Sequence, residues 1–129
     1  MIKVWLNGVF DVLHRGHIEL FKFAKSQGDW LCVGIDADER VKELKGPLRP
    51  INCEEDRKYF LESIKYIDEV VIFKTSEDLK NIIQEYRPNI YVVGSDYKNK
   101  EKIGSIYAKE IVFFDRIEKY SSTLILNKI

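Results

Sequence analysis

Two histidines, His14 and His17, bracket Arg15-Gly16 just downstream of an apolar run from Ile2 to Leu6. Asn7-Gly8-Val9-Phe10-Asp11 lies between the run and the histidines. The run has the make-up of a first β-strand, and Ile18, Leu20, Phe21, Phe23 and Ala24 follow with the spacing of an amphipathic helix. His-x-Gly-His therefore marks a strand-to-helix turn. The first N–H groups of a helix have no intrahelical acceptor and carry partial positive charge, which attracts phosphate. Gly16 lets the backbone approach a ligand closely. Two imidazoles add donors that can be cationic near neutral pH. Such a turn is suited to a polyphosphate.

The remaining elements must hold that turn in place. Strand-like runs cover Ile2 to Leu6, Trp30 to Ile35, Glu69 to Phe73, Ile90 to Val93 and Glu110 to Phe114. Helical patterns cover His17 to Ser26, Glu54 to Ile64, Ser76 to Tyr86 and Ser122 to Lys128, with one more short helix near Tyr107. This alternation predicts an α/β fold, a doubly wound, Rossmann-like parallel sheet of five strands in a single domain, residues 1–129. Ligands of such sheets bind beyond the carboxyl ends of the strands, where the strand order reverses. The histidine turn follows strand one, and Gly94-Ser95-Asp96-Tyr97-Lys98 follows strand four, so both open toward one edge. Lys42 to Cys53 holds two of the three prolines and reads as a loop beside the site. Its Lys42, Lys45 and Arg49 are candidate phosphate clamps.

Composition narrows the function. The chain has 129 residues, 45% hydrophobic and 33% charged, with equal numbers of acidic and basic side chains. A formal net charge of zero argues against bulk affinity for nucleic acid or membranes. Cys32 lies in an apolar strand and reads as a reduced core residue; neither it nor Cys53 has metal-ligand spacing. No signal peptide or long apolar stretch is evident, so a cytoplasmic protein is expected.

The His-x-Gly-His turn with Gly-Val-Phe-Asp before it resembles the cytidylyltransferase-like branch of the nucleotidyltransferase superfamily. The resemblance implies attack of a phosphorylated alcohol or sugar on the α-phosphate of a nucleoside triphosphate, with release of pyrophosphate. It implies charge-stabilising roles for His14, His17, Lys42, Lys45 and Arg116. It implies nucleotide contacts at Gly8, Val9, Phe10, Asp11, Gly16, Gly94, Asp96, Ser121, Ser122 and Thr123. Phe10 by itself reads as core, and Asp11 reads equally well as structural. Arg49 and Arg57 are the implied acceptor contacts, Arg57 in either a phosphate-binding or a structural role near the site; without the resemblance, Arg57 reads as half of an exposed helix ion pair with Glu54. Mg²⁺ is expected to enter on the triphosphate, with no direct protein ligand, and a homodimer is expected.

The substrates stay open between two branches. Leu44-Lys45-Gly46, Arg49-Pro50 and Gly94 to Lys98 resemble the bacterial heptose-1-phosphate adenylyltransferases, which implies ATP and a heptose 1-phosphate. Arg116 and Tyr120-Ser121-Ser122-Thr123 are similar to the arginine and serine-threonine signature of glycerol-3-phosphate cytidylyltransferases, although Ile117 and Lys119 depart from it. That match implies CTP and a polyol phosphate. Archaeal-type FAD synthetases share the histidine signature, and a non-catalytic nucleotide-binding protein is the rival from another class. The heptose branch is preferred, because two separate segments point to it.

Overall fold

A computed structural model describes residues 1–94 and 102–115. Five parallel strands form one sheet: β1 Lys3–Gly8, β2 Trp30–Asp36, β3 Glu69–Phe73, β4 Ile90–Gly94 and β5 Glu110–Phe114. Their order is β3-β2-β1-β4-β5. The chain runs outward from β1 to β3 and then returns to lie on β1's other side. The reversal falls between β1 and β4, whose pairing sets Val4 beside Ile90 and Trp5 beside Tyr91.

Alternation along the strands divides the core in two. Val4 and Leu6 join Leu31, Val33 and Val70 under α1 (Arg15–Ser26) and α3 (Glu54–Glu62), where Phe21, Ala24 and Leu61 complete the layer. Trp5, Cys32, Phe73 and Tyr91 face the other way, against Leu79 and Ile83 of α4 (Ser76–Tyr86). Helices thus cover both faces, as the apolar strands require. The close fit depends on Gly34. A Cβ there would lie 2.6 Å from Trp5 Cζ2, so only glycine leaves room for the indole. Burial pushes the Cys32 thiol far above its usual range, in keeping with an inert core cysteine.

Several boundaries differ from the sequence reading. β1 runs on through Asn7 and Gly8, and α1 begins at Arg15 because His14 caps it. α3 stops at Glu62, short of Ile64. The short helix near Tyr107 is a 3-10 turn over Ser105–Tyr107. One whole element was missed: α2, Asp38–Lys45, occupies the first part of the expected loop. Only Val41 of α2 is buried, so the segment carries almost no apolar period to read. Its charges do favour a helix, with Asp38 and Glu39 in the first turn and Lys42 and Lys45 in the last. Gly46, at φ 101°, ends it. The helix expected at Ser122 to Lys128 lies outside the described residues.

Candidate active site

The turn after β1 is built around a reciprocal cap. His14 has extended backbone and stands at the N-cap of α1. Its Nδ1 accepts from Gly16 N–H at 3.1 Å, and His17 Nδ1 accepts from His14 N–H at 3.2 Å. The two rings stack with centroids 3.9 Å apart, and Phe10 meets His17 edge-on at 5.4 Å. Phe10 in turn packs on Phe21. Its positive φ of 51° turns the chain there, and Gly8 makes room, since a Cβ on Gly8 would lie 2.8 Å from the Phe10 ring.

The cap changes what this turn can offer a ligand. An Nδ1 that accepts carries no proton, so each neutral ring holds its proton on Nε2. Gly16 N–H is spent on His14, and His17 N–H turns to the His14 carbonyl at 3.0 Å. The backbone donors at the start of α1 are therefore largely used internally, contrary to the expectation that they would meet phosphate. The two imidazoles are the groups the turn holds in place.

A charged cluster braces the turn from the β2 side. Arg57 is fully buried, which favours the structural role near the site over the exposed ion pair or the acceptor contact that the sequence also allowed. Its Nη1 donates to the carbonyls of Val9 at 3.0 Å and Asp36 at 2.8 Å. Its Nε donates to the Asn52 carbonyl at 3.0 Å, and Nη2 meets the Asp38 carboxylate at 2.8 Å. The expectation of Arg57 as an acceptor contact is corrected on that ground, because the guanidinium is spent on the protein itself. The ion pair with Glu54 does not form either; Glu54 accepts from the Asp38 N–H at 2.9 Å.

Asp11 behaves in the same way. Its buried carboxylate takes N–H groups from Ile51 and Asn52, each at 2.8 Å, and Arg49 Nε at 2.9 Å. Burial alone would raise its pKa. The N–H groups of Asn52 and Ile51 and the Arg49 guanidinium outweigh that, and the carboxyl stays below its ordinary value. Asp11 thus ties the 49–52 segment to the β1 turn, which is the structural of the two roles expected of it. Arg49 sits half-buried on Asp11. Lys42 and Lys45 lie exposed on α2.

Asp36 is the second buried carboxylate, paired with Arg40 Nε at 2.7 Å. Here burial dominates and pushes its pKa up, against the lowering by Arg40 and Arg57. Gly94 ends β4 beside Phe114. Asp96, Arg116, Ser121, Ser122 and Thr123 lie outside the described residues. Sequence reading missed the part played by Trp5, Asn7 and Tyr91, which share hydrogen bonds on the α4 face of β1. The available signal was a polar Asn7 that continues the inward-facing register of Trp5.

The carboxyl edge of a 3-2-1-4-5 sheet, with paired histidines at the start of the first helix, defines the class. A family model described as cytidylyltransferase-like matches residues 5–128. The chain belongs to that family, and it is a nucleotidyltransferase by class. Among particular relatives, it is 46% identical over 126 residues to the bifunctional protein HldE of Helicobacter pylori (strain P12), and 44% identical to that of Campylobacter fetus subsp. fetus (strain 82-40). Each match takes in 98% of this chain, which spans 27% of the relative's length. The crystal structure of a lipopolysaccharide core biosynthesis protein from Thermoplasma volcanium GSS1 superposes with a TM-score of 0.75 at 29% identity, covering 94% of this chain and 99% of that one. A protein of unknown function from Archaeoglobus fulgidus shares the fold at a TM-score of 0.67 and 19% identity, with 93% and 94% covered. Among the described residues, no helix is long and apolar enough to cross a membrane.

Proposed function

We propose that this chain transfers AMP from ATP to a heptose 1-phosphate, giving ADP-heptose and pyrophosphate. A phosphate oxygen of the acceptor attacks the α-phosphorus in line, the bond to the β-phosphate oxygen breaks, and pyrophosphate leaves. The observation that carries the reading is the stacked, reciprocally capped pair His14 and His17 at the point where strand order reverses. Each Nε2–H is a positioned donor for charge that develops on the phosphates. Such a reaction needs positioning and charge stabilisation more than covalent participation by the protein. Lys42 and Lys45, on the last turn of α2, supply cations to the phosphates, and Arg49 lies next to the turn through Asp11. Arg116, Asp96 and the Ser121 to Thr123 segment are assigned to the nucleotide on the resemblance alone.

Among the described residues, no group of three carboxylate, histidine or cysteine side chains converges to hold a metal ion. A divalent ion, Mg²⁺, carried by the triphosphate would neutralise charge on the leaving pyrophosphate. The choice of heptose over glycerol rests on the segments Leu44 to Gly46, Arg49-Pro50 and Gly94 to Lys98, and on the identity to the HldE proteins.

The test is a pyrophosphate-release screen of four nucleoside triphosphates against a panel of sugar and polyol phosphates. ATP with heptose 1-phosphate should give the highest kcat/KM. Polar groups left unpaired by the wrong base can discriminate by up to about 10⁴-fold, so the preference should be large. Faster turnover of CTP with glycerol 3-phosphate would overturn the substrate assignment and leave the reaction class standing. Absence of release with every pair would favour a nucleotide-binding protein without catalysis.

A further inference from the structure

Asn7 stands one residue before Gly8, at the carboxyl end of the central strand and beside the reversal point. Its side chain lies on the Trp5 face of β1. Trp5 Nε1 donates to Asn7 Oδ1 at 2.9 Å. An indole nitrogen can only donate, so this bond fixes which end of the amide is oxygen. The Tyr91 hydroxyl stands 2.9 Å from the same oxygen and 3.0 Å from the Ile103 carbonyl, with one proton to share between them. Both anchoring rings are buried. Gly34, the register partner of Asn7 on β2, leaves the space that lets the indole reach this position.

The other end of the amide is different. Among the described residues, Asn7 Nδ2 has no hydrogen-bond partner. Among the described residues, no buried side-chain nitrogen or oxygen lacks a partner, so this nitrogen reaches solvent. A primary amide is thus locked by its oxygen and turns two N–H donors outward at the edge where ligands of such sheets bind. A group that served only to satisfy Trp5 would need the oxygen alone. Uncharged donors held in advance suit an uncharged oxygen acceptor, and they lose little freedom on binding. Both substrates of the proposed reaction carry such oxygens, on the ribose of the nucleotide and on the sugar of the acceptor.

We propose that the Asn7 amide is a substrate contact that donates to a sugar oxygen, with Trp5 and Tyr91 as its positioning residues. The proposal rests on the nucleotidyltransferase reading above. Two measurements on the full chain test it. In ¹⁵N-labelled protein, the Asn7 side-chain NH₂ signal, assigned by its loss in Asn7→Asp, is followed during separate additions of ATP–Mg²⁺ and of heptose 1-phosphate. A shift with one of them supports the proposal and tells which substrate supplies the oxygen. In steady state, Asn7→Asp keeps the oxygen that Trp5 reaches, and Asn7→Leu removes the amide without adding charge. Both should lose on the order of 10-fold in kcat/KM for that same substrate, the scale of one hydrogen bond to a bound ligand. KM for the other substrate should stay within about 2-fold, since a contact to one partner is absent from the other's binding. Far-ultraviolet circular dichroism confirms that the variants are folded. No shift with either substrate, or unchanged kcat/KM for both in Asn7→Asp, overturns the proposal. If the wild type fails to turn over heptose 1-phosphate, the proposed function falls by itself, and Asn7 is read with the acceptor that the screen identifies.

Discussion

Two polar clusters meet the same edge of the sheet, and they use their hydrogen bonds in opposite ways. The charged one, on the β2 side, joins Asp11, Arg49, Arg57, Asp36 and Asp38. Arg57 spends all three of its nitrogens on carbonyls and a carboxylate of its own chain. Asp11 accepts from two backbone N–H groups and one guanidinium. The uncharged cluster, Trp5, Asn7 and Tyr91, satisfies one oxygen and, among the described residues, leaves the amide nitrogen unused. Residue type alone would rank them the other way, with arginines and aspartates as ligand contacts and an asparagine as filler. What decides is the number of partners already engaged. A buried charge must be fully paired to be tolerated at all, so the deeper charges become scaffold.

The sharpest way to break this contrast is to remove the hub. Arg57→Ala leaves buried carbonyls and Asp38 unpaired and should destabilise the fold by about 3–5 kcal/mol, read from urea unfolding. Arg57→Lys should rescue little, because an ammonium cannot match the planar fork of donors. A variant as stable as wild type would mean that the cluster is not scaffold.

The histidines between the two clusters come next. His14→Ala and His17→Ala should each lower kcat by about 10²-fold or more while the fold survives, as for a lost donor to a developing charge. Near-normal turnover in both variants would contradict the reading of this turn as the catalytic centre.

Asp11→Asn should cost about 1–3 kcal/mol at neutral pH, since it disturbs a buried acceptor of several N–H groups. The sign of its pH dependence follows from the lowered pKa. The stabilisation is present above the ordinary carboxyl value of 3.8 and is lost as pH falls through the lower folded-state value. The gap between variant and wild type should therefore close on acidification below about 3.8. The same variant should make the 46–53 segment easier to cleave by protease, because its tether to the β1 turn is weakened.

Asp36→Asn should show the smallest effect and the opposite slope. The raised pKa of Asp36 means that its ionisation opposes folding, a penalty absent at low pH and incurred as pH rises above 3.8 through the folded-state value. The Asn variant should therefore gain on wild type across that rise, offset by the lost bond to Arg40. Parallel slopes for Asp11→Asn and Asp36→Asn in a pH series of melting curves would contradict the difference drawn between them.

Much of the fold was legible in local pattern. β3 and β5 have the bounds that apolar, β-branched and aromatic runs indicate, and α4 runs from Ser76 to Tyr86 as its period predicts. α2 was hidden because a helix that buries one residue leaves no stripe to read. In the site, the histidine turn was legible because cap, glycine and helix are neighbours in sequence. Arg57 was not, because its exposure depends on the β1 turn and the end of β2 closing over it.

The sequence by itself determined the alternation of strands and helices, the place of the histidine turn after the first strand, and the membership of the cytidylyltransferase-like family. These are properties of residues a few positions apart, where period and capping act. Only the tertiary structure decided which polar groups are scaffold and which face a ligand. Asp11 meets residues 38 to 41 positions away, Arg57 meets Val9 across 48, and Tyr91 meets Asn7 across 84. Hydrogen-bond capacity is consumed by whichever partner the sheet order brings close, and that order is set by packing over the whole chain.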